Sequence, residues 1–156
     1  MAKEKGFRPM PLAIKIIFAF TIFGLVTSAI MIPFFPSTGA NVLGFAVTGW
    51  PAALVALLTV IIMAVLVAGF WERHDWTWKL YIAFGVYGMV SSLLYLVIGL
   101  PKTIQTTLAR MPSTLPGMEN MLVVSSVMGI LIGVIINIIF IYFVYKHRNY
   151  FEKSAA

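Results

Sequence analysis

The sequence predicts an all-α integral membrane protein: a four-transmembrane-helix bundle, residues 1–156, forming a single membrane domain with both ends in the cytoplasm. Three observations carry that prediction. Of 156 residues, 61% are hydrophobic and only 10% are charged, with a mean hydropathy of +0.98. A soluble domain is about 25% charged, so too few polar side chains remain here to cover a water-facing surface. The apolar residues gather into runs long enough to cross a bilayer, which takes about 20 residues at the helical rise. The basic residues fall between those runs with a strong bias to one side.

The first span is read as Leu12 to Ile32. It follows Lys3, Lys5, Arg8 and Lys15, and no small-x-small cleavage pattern comes after it, so it is expected to be retained rather than cleaved. Between Lys15 and Glu72 no charge occurs, but Pro33, Pro36, Gly39, Gly44, Gly49 and Pro51 divide the stretch. The second span is therefore placed at Pro51 to Phe70, because proline suits a first helical position, where its missing N–H would be unpaired anyway. Residues 71–79, WERHDWTWK, make the polar break. A third span runs from Leu80 to Leu100, where Pro101 is expected to stop it. Residues 102–120 read as a loop with a short amphipathic helix through Ile104, Leu108 and Met111. Asn120 then offers an N-cap for a fourth span, Met121 to Tyr145, with Glu119 beside the positive end of its dipole.

Lysine and arginine set the orientation. Nine lie on one side (Lys3, Lys5, Arg8, Lys15, Arg73, Lys79, Lys146, Arg148, Lys153), and two, Lys102 and Arg110, on the other. The positive-inside rule puts the first group, and hence both termini, in the cytoplasm, with the chain multi-pass in the inner membrane. Residues 37–50 face outward and are uncharged and largely apolar. They are expected to lie at the interface or to dip into it, with any buried backbone satisfied by protein.

Several chemistries are disfavoured. The absence of cysteine removes disulfides, thiolate metal sites and thiol redox catalysis. No Asp, Glu, His, Arg or Lys stands mid-span, so the ionisable relay of a proton-coupled transporter and an axial haem ligand are both missing. Neither histidine, His74 or His147, lies in a metal-ligand signature, and both read as solvated loop residues. No nucleophile elbow or phosphate-binding glycine loop occurs. The net charge of +6 flanks apolar segments, which favours anionic lipid over nucleic acid. No cofactor is expected, and no enzymatic activity.

The sharpest pattern lies in the fourth span. Ser125, Gly129, Gly133 and Asn137 recur every four residues, forming one stripe that includes a GxxxG. Small residues at this spacing let another backbone approach closely. Asn137 is the only carboxamide in any predicted span and is expected to hydrogen-bond to another helix. On this reading the stripe packs within the chain, and Gly133→Leu would push the helix away from its neighbour. Further small-residue faces are Gly85, Gly88 and Ser92 in the third span and Gly24 and Ser28 in the first. Trp71, Trp76, Trp78, Tyr81, Tyr142 and Tyr145 form an interfacial aromatic rim on the cytoplasmic side, where amphipathic rings settle.

Arg8-Pro9 ahead of the first span, and NIIFIYFVYKHRNYF at residues 137–151, resemble the ends of small prokaryotic four-span membrane proteins of unknown function. The resemblance implies a bacterial or archaeal membrane protein and carries no activity. The function expected from the residues is non-catalytic: an accessory or structural subunit packing against other membrane chains, or against itself as an oligomer, and against lipid. The alternatives are a homo-oligomeric channel for a small solute or ion, and a protein that handles lipid headgroups at the aromatic rim.

Overall fold

A computed structural model describes residues 10–110 and 117–152, and several of its helices begin or restart at proline or glycine. Helix α1, Leu12–Met31, follows Pro11, whose carbonyl takes the Lys15 N–H at 2.9 Å. The chain stays helical beyond it, through a 3₁₀ turn at Ile32–Phe34 and a single turn, α2, at Phe35–Thr38. Pro33 and Pro36 each sit in the first turn of these pieces, where no N–H is needed. A hairpin follows, β1 (Ala40–Val42) against β2 (Phe45–Val47), antiparallel with Val42 opposite Phe45. Helix α3 then spans Trp50–Glu72, with Pro51 in its first turn.

The third span departs from the sequence expectation. Helix α4, Thr77–Leu94, runs into a π-helical turn at Tyr95–Gly99 and on into α5, Leu100–Arg110. Pro101 does not stop it. The π turn bonds the Leu100 N–H to the Tyr95 carbonyl, five residues back, which resets the register. Pro101 then falls in the first turn of the renewed helix and costs no bond. The segment read as a loop from 102 is thus helical to Arg110 and continuous with the span. Ile104 is buried and Leu108 half-buried; Met111 lies outside the described residues.

The last helices are α6, Met118–Lys146, and a turn, α7, Asn149–Glu152. Asn120 is not the N-cap. Gly117 takes that place at φ 88°, and its carbonyl accepts the Met121 N–H at 3.1 Å, so Asn120 falls inside the first turn. Among the described residues, four helices are long and apolar enough to cross a membrane: Leu12–Ser37, Trp50–Glu72, Thr77–Gln105 and Asn120–Lys146. Their outward faces carry large apolar side chains such as Leu54, Phe23 and Ile135, the surface expected of a multi-pass membrane protein.

Helix α1 packs chiefly on α3, and α4 on α6, so the bundle is two close pairs with looser contact between them. The best-buried cluster lies at the end holding the first and last described residues, here called the terminal end. Met10, just ahead of α1, and Ile14, Ile17 and Phe18 from α1 meet Phe70, Val144 and, from α7, Tyr150 and Phe151. Phe151 is fully buried, with its ring 5.6 Å from that of Phe70. The short α7 therefore stoppers the bundle. At the opposite end the hairpin takes the equivalent position. Its two-residue turn has both φ values positive, Leu43 at 49° and Gly44 at 86°, which matches the twist of paired strands. This is how the backbone of residues 37–50 is satisfied: by strand pairing, by the Gly49 N–H to the Pro36 carbonyl, and by the Leu43 N–H to Ser91 Oγ at 3.1 Å.

Candidate functional site

The Asn137 side chain crosses from α6 to α4. Its Nδ2 donates to the Gly85 carbonyl at 3.3 Å, adding a second bond to an oxygen with two lone pairs. Glycine permits this approach. A Cβ at residue 85 would stand 2.9 Å from Asn137 Oδ1 and 3.0 Å from Ile141 Cδ1, while one at Gly88 would lie 3.8 Å from Nδ2. Helix α4 thus supplies the recess and α6 the side chains that enter it. Beside the contact is a cavity of about 250 Å³, bounded by Thr21, Met63, Leu66, Tyr81, Gly133 and Asn137. Its lining holds no charged side chain; Thr21 turns its hydroxyl back to the Ile17 carbonyl at 2.8 Å.

The stripe on α6 divides at this point. Asn137 has its interhelical partner, but a Cβ on Gly129 or Gly133 would meet no heavy atom within 4 Å. The glycine pair is therefore not the close-approach surface within the chain, and Gly133→Leu has room. The reason lies in which helix gives way: with glycines on α4 at 85 and 88, α6 meets them with Asn137 and Ile141, and a second glycine face would leave a gap. Ser125, exposed, donates to the Leu122 carbonyl of its own helix. Gly24 is in ordinary contact with Met63, 3.5 Å from a Cβ position, on the α1–α3 face. Ser28 lines a small cavity beside the hairpin, and Ser92 a larger groove between α3 and α4.

The aromatic residues gather at the terminal end, where cations cover several rings. Arg148 lies 4.8 Å from the Tyr145 ring centre, Lys79 5.5 Å from Trp78, and Lys146 5.9 Å from Tyr142. Trp78 meets Tyr145 edge-on at 6.4 Å, and Trp71 stacks on Phe18 at 6.2 Å. Trp76 stacks on His74, whose Nε2 is 2.8 Å from Glu72 Oε2. His147 donates from Nδ1 to the Phe143 carbonyl. Tyr81 differs from the rest: it packs edge-on against Phe70 beside the core. Among the described residues no three metal-ligating side chains come together.

Two contacts at the bundle ends escaped sequence reasoning. One is the hairpin tip on α4, where Gly44 leaves no room for a Cβ against the Leu94 carbonyl; the other is α7 beneath Arg73. Neither had a signal: Leu-Gly is not among the dipeptides that mark a two-residue hairpin turn, and residues 45–47 are apolar throughout. No known protein family, curated protein or solved structure matches the chain.

Proposed function

We propose that the protein is a non-catalytic membrane component, an accessory or structural subunit that receives another transmembrane helix against α6, across the open face at Gly129 and the partly open cavity that Gly133 lines. One observation carries this reading: the open stripe at Gly129 and Gly133 lies on the least enclosed span. Only 6% of the most apolar stretch of the fourth span is buried, against 17–22% for the other three. Bare glycine at i and i+4 suits close backbone approach by a partner, in a setting where packing rather than hydrophobicity drives helix association. The partner is a helix of another membrane chain or of a second copy, in the cytoplasmic membrane of a prokaryote. The nine-to-two bias of basic residues supports a cytoplasmic location for the terminal end.

Gly129→Leu and Gly133→Leu test the proposal. Both have space in the isolated chain, so its melting temperature in mild detergent should hold while co-purified or self-associated chains are lost. Unchanged assembly in both variants, measured by light scattering and mass spectrometry, would discard the reading.

A further inference from the structure

The hairpin holds α3 and α4 apart at one end, while a tight turn joins them at the other. At the terminal end Gly69 packs so closely beneath Thr77 and Trp76 that no Cβ fits. At the far end β1 packs on α3 while the hairpin tip is fixed to α4 through Ser91 and Leu94. Below the hairpin the two helices therefore splay around a groove of about 670 Å³, open sideways to the surroundings of the bundle. That volume lies within the range of small-molecule sites.

The groove is graded along its length. Toward the terminal end its walls are Leu80, Phe84 and Ile62; toward the hairpin they carry Thr59, Ser92 and Asn41. No charged side chain lines it. The polar groups are short of partners among the described residues. Thr59 turns its proton back to the Val55 carbonyl, leaving its lone pairs free, and no hydrogen bond reaches the side chains of Asn41 or Ser92. Thr59 and Ser92, set within the apolar length of α3 and α4, need something to bond to, while Asn41 is exposed in the hairpin at the groove's end.

We infer that this groove binds a membrane amphiphile with one apolar chain and an uncharged head bearing hydroxyl or carbonyl groups. The chain lies along Phe84 and Leu80, and the head sits beneath the hairpin between Thr59, Ser92 and Asn41. The groove's lack of charge selects against carboxylate and phosphate heads, whose desolvation nothing would offset. The inference is independent of the subunit reading, since it concerns the groove between α3 and α4 and not the Gly129–Gly133 face of α6.

The test uses the full chain in nanodiscs with three photoactivatable probes sharing one diazirine-bearing chain: a monoacylglycerol, the fatty acid at pH 8, and a phosphatidylcholine. The monoacylglycerol should label peptides from residues 55–62 and 80–92, saturably and in competition with unlabelled monoacylglycerol. Thr59→Val with Ser92→Ala, changes that keep the groove's shape, should weaken its binding roughly sevenfold, the equivalent of two membrane hydrogen bonds of about 0.6 kcal/mol. Leu58→Trp, which narrows the groove, should abolish saturable labelling, with thermal melting confirming the fold. Labelling spread over all four spans, equal labelling by the charged probes, or a groove already shielded by another protein chain would each overturn the proposal.

Discussion

Arg73 donates from Nε and Nη2 to the main-chain carbonyl of Tyr150, at 3.3 and 3.0 Å, and its guanidinium carbon lies 4.4 Å from the centre of the same residue's ring. This couples the α3–α4 turn to the chain's last described turn across 77 residues. Arg73 also caps α3 in the left-handed region, at φ 61°, a conformation that costs a side-chain-bearing residue roughly 1–2 kcal/mol. Arg73→Ala should lower stability by about 2 kcal/mol, from the lost charge-assisted bonds and cation–π contact. Arg73→Gly should lose less, because it relieves the strained φ. Thermal unfolding in mild detergent ranks the two; equal losses would show that the backbone strain is negligible.

Tyr150 provides a pH handle at the same place. Burial pushes its hydroxyl above the usual value of 10.0, and the Arg73 charge offsets this only in part. A group whose folded pKa exceeds its unfolded one stabilises the protein fully below the unfolded value, near 10, and loses that contribution as pH rises through the folded value. Stability should accordingly be insensitive to this group at neutral pH and decline above about pH 10. The hydroxyl is buried with no hydrogen-bond partner among the described residues, so Tyr150→Phe should cost almost nothing at pH 7 and should flatten the alkaline decline. A large loss at pH 7 would mean that the hydroxyl has a partner after all.

At the Asn137–Gly85 contact, hydrogen bonding and packing should separate cleanly. Asn137→Leu removes one interhelical bond, worth on average about 0.6 kcal/mol in a membrane protein, and the bundle should survive with a modest shift in melting temperature. Gly85→Val forces atoms into Asn137 and Ile141 and should cost about 1–3 kcal/mol, as overpacking does. Adding Asn137→Ala should recover part of that loss, a coupling that a double-mutant cycle measures directly. Purely additive effects would count against the contact.

Orientation is open to a labelling experiment, helped by a cysteine-free background. Ser37 and Asp75 are both exposed and stand at opposite ends of the bundle. Ser37→Cys should react with an impermeant thiol reagent applied from outside, and Asp75→Cys only after the membrane is opened. Thr77 is fully buried and would mislead in the same assay. The reverse pattern would invert the arrangement of both termini.

The four spans were legible in the sequence because a membrane helix bonds its own backbone and needs only about 20 apolar residues in a row. Those are local conditions, and the limits at Leu12, Trp50 and Lys146 fall within a few residues of the apolar boundaries. The need for Asn137 to find an interhelical partner was equally readable, since no other carboxamide lies in a span predicted from the sequence. Tertiary structure decided which group answers it. The same holds for the glycines: spacing made Gly129 and Gly133 look like the close approach, whereas Gly85 makes it, because a recess is defined by what enters it from the other helix. The hairpin tip on Ser91, the Asn137–Gly85 contact and the stopper at Phe151 were settled by packing too. Their defining bonds join residues 48, 52 and 77 positions apart, from Leu43 to Ser91, Asn137 to Gly85 and Arg73 to Tyr150. Periodicity within one helix carries no information about such pairs, because the atoms that satisfy each group arrive only when the helices come together.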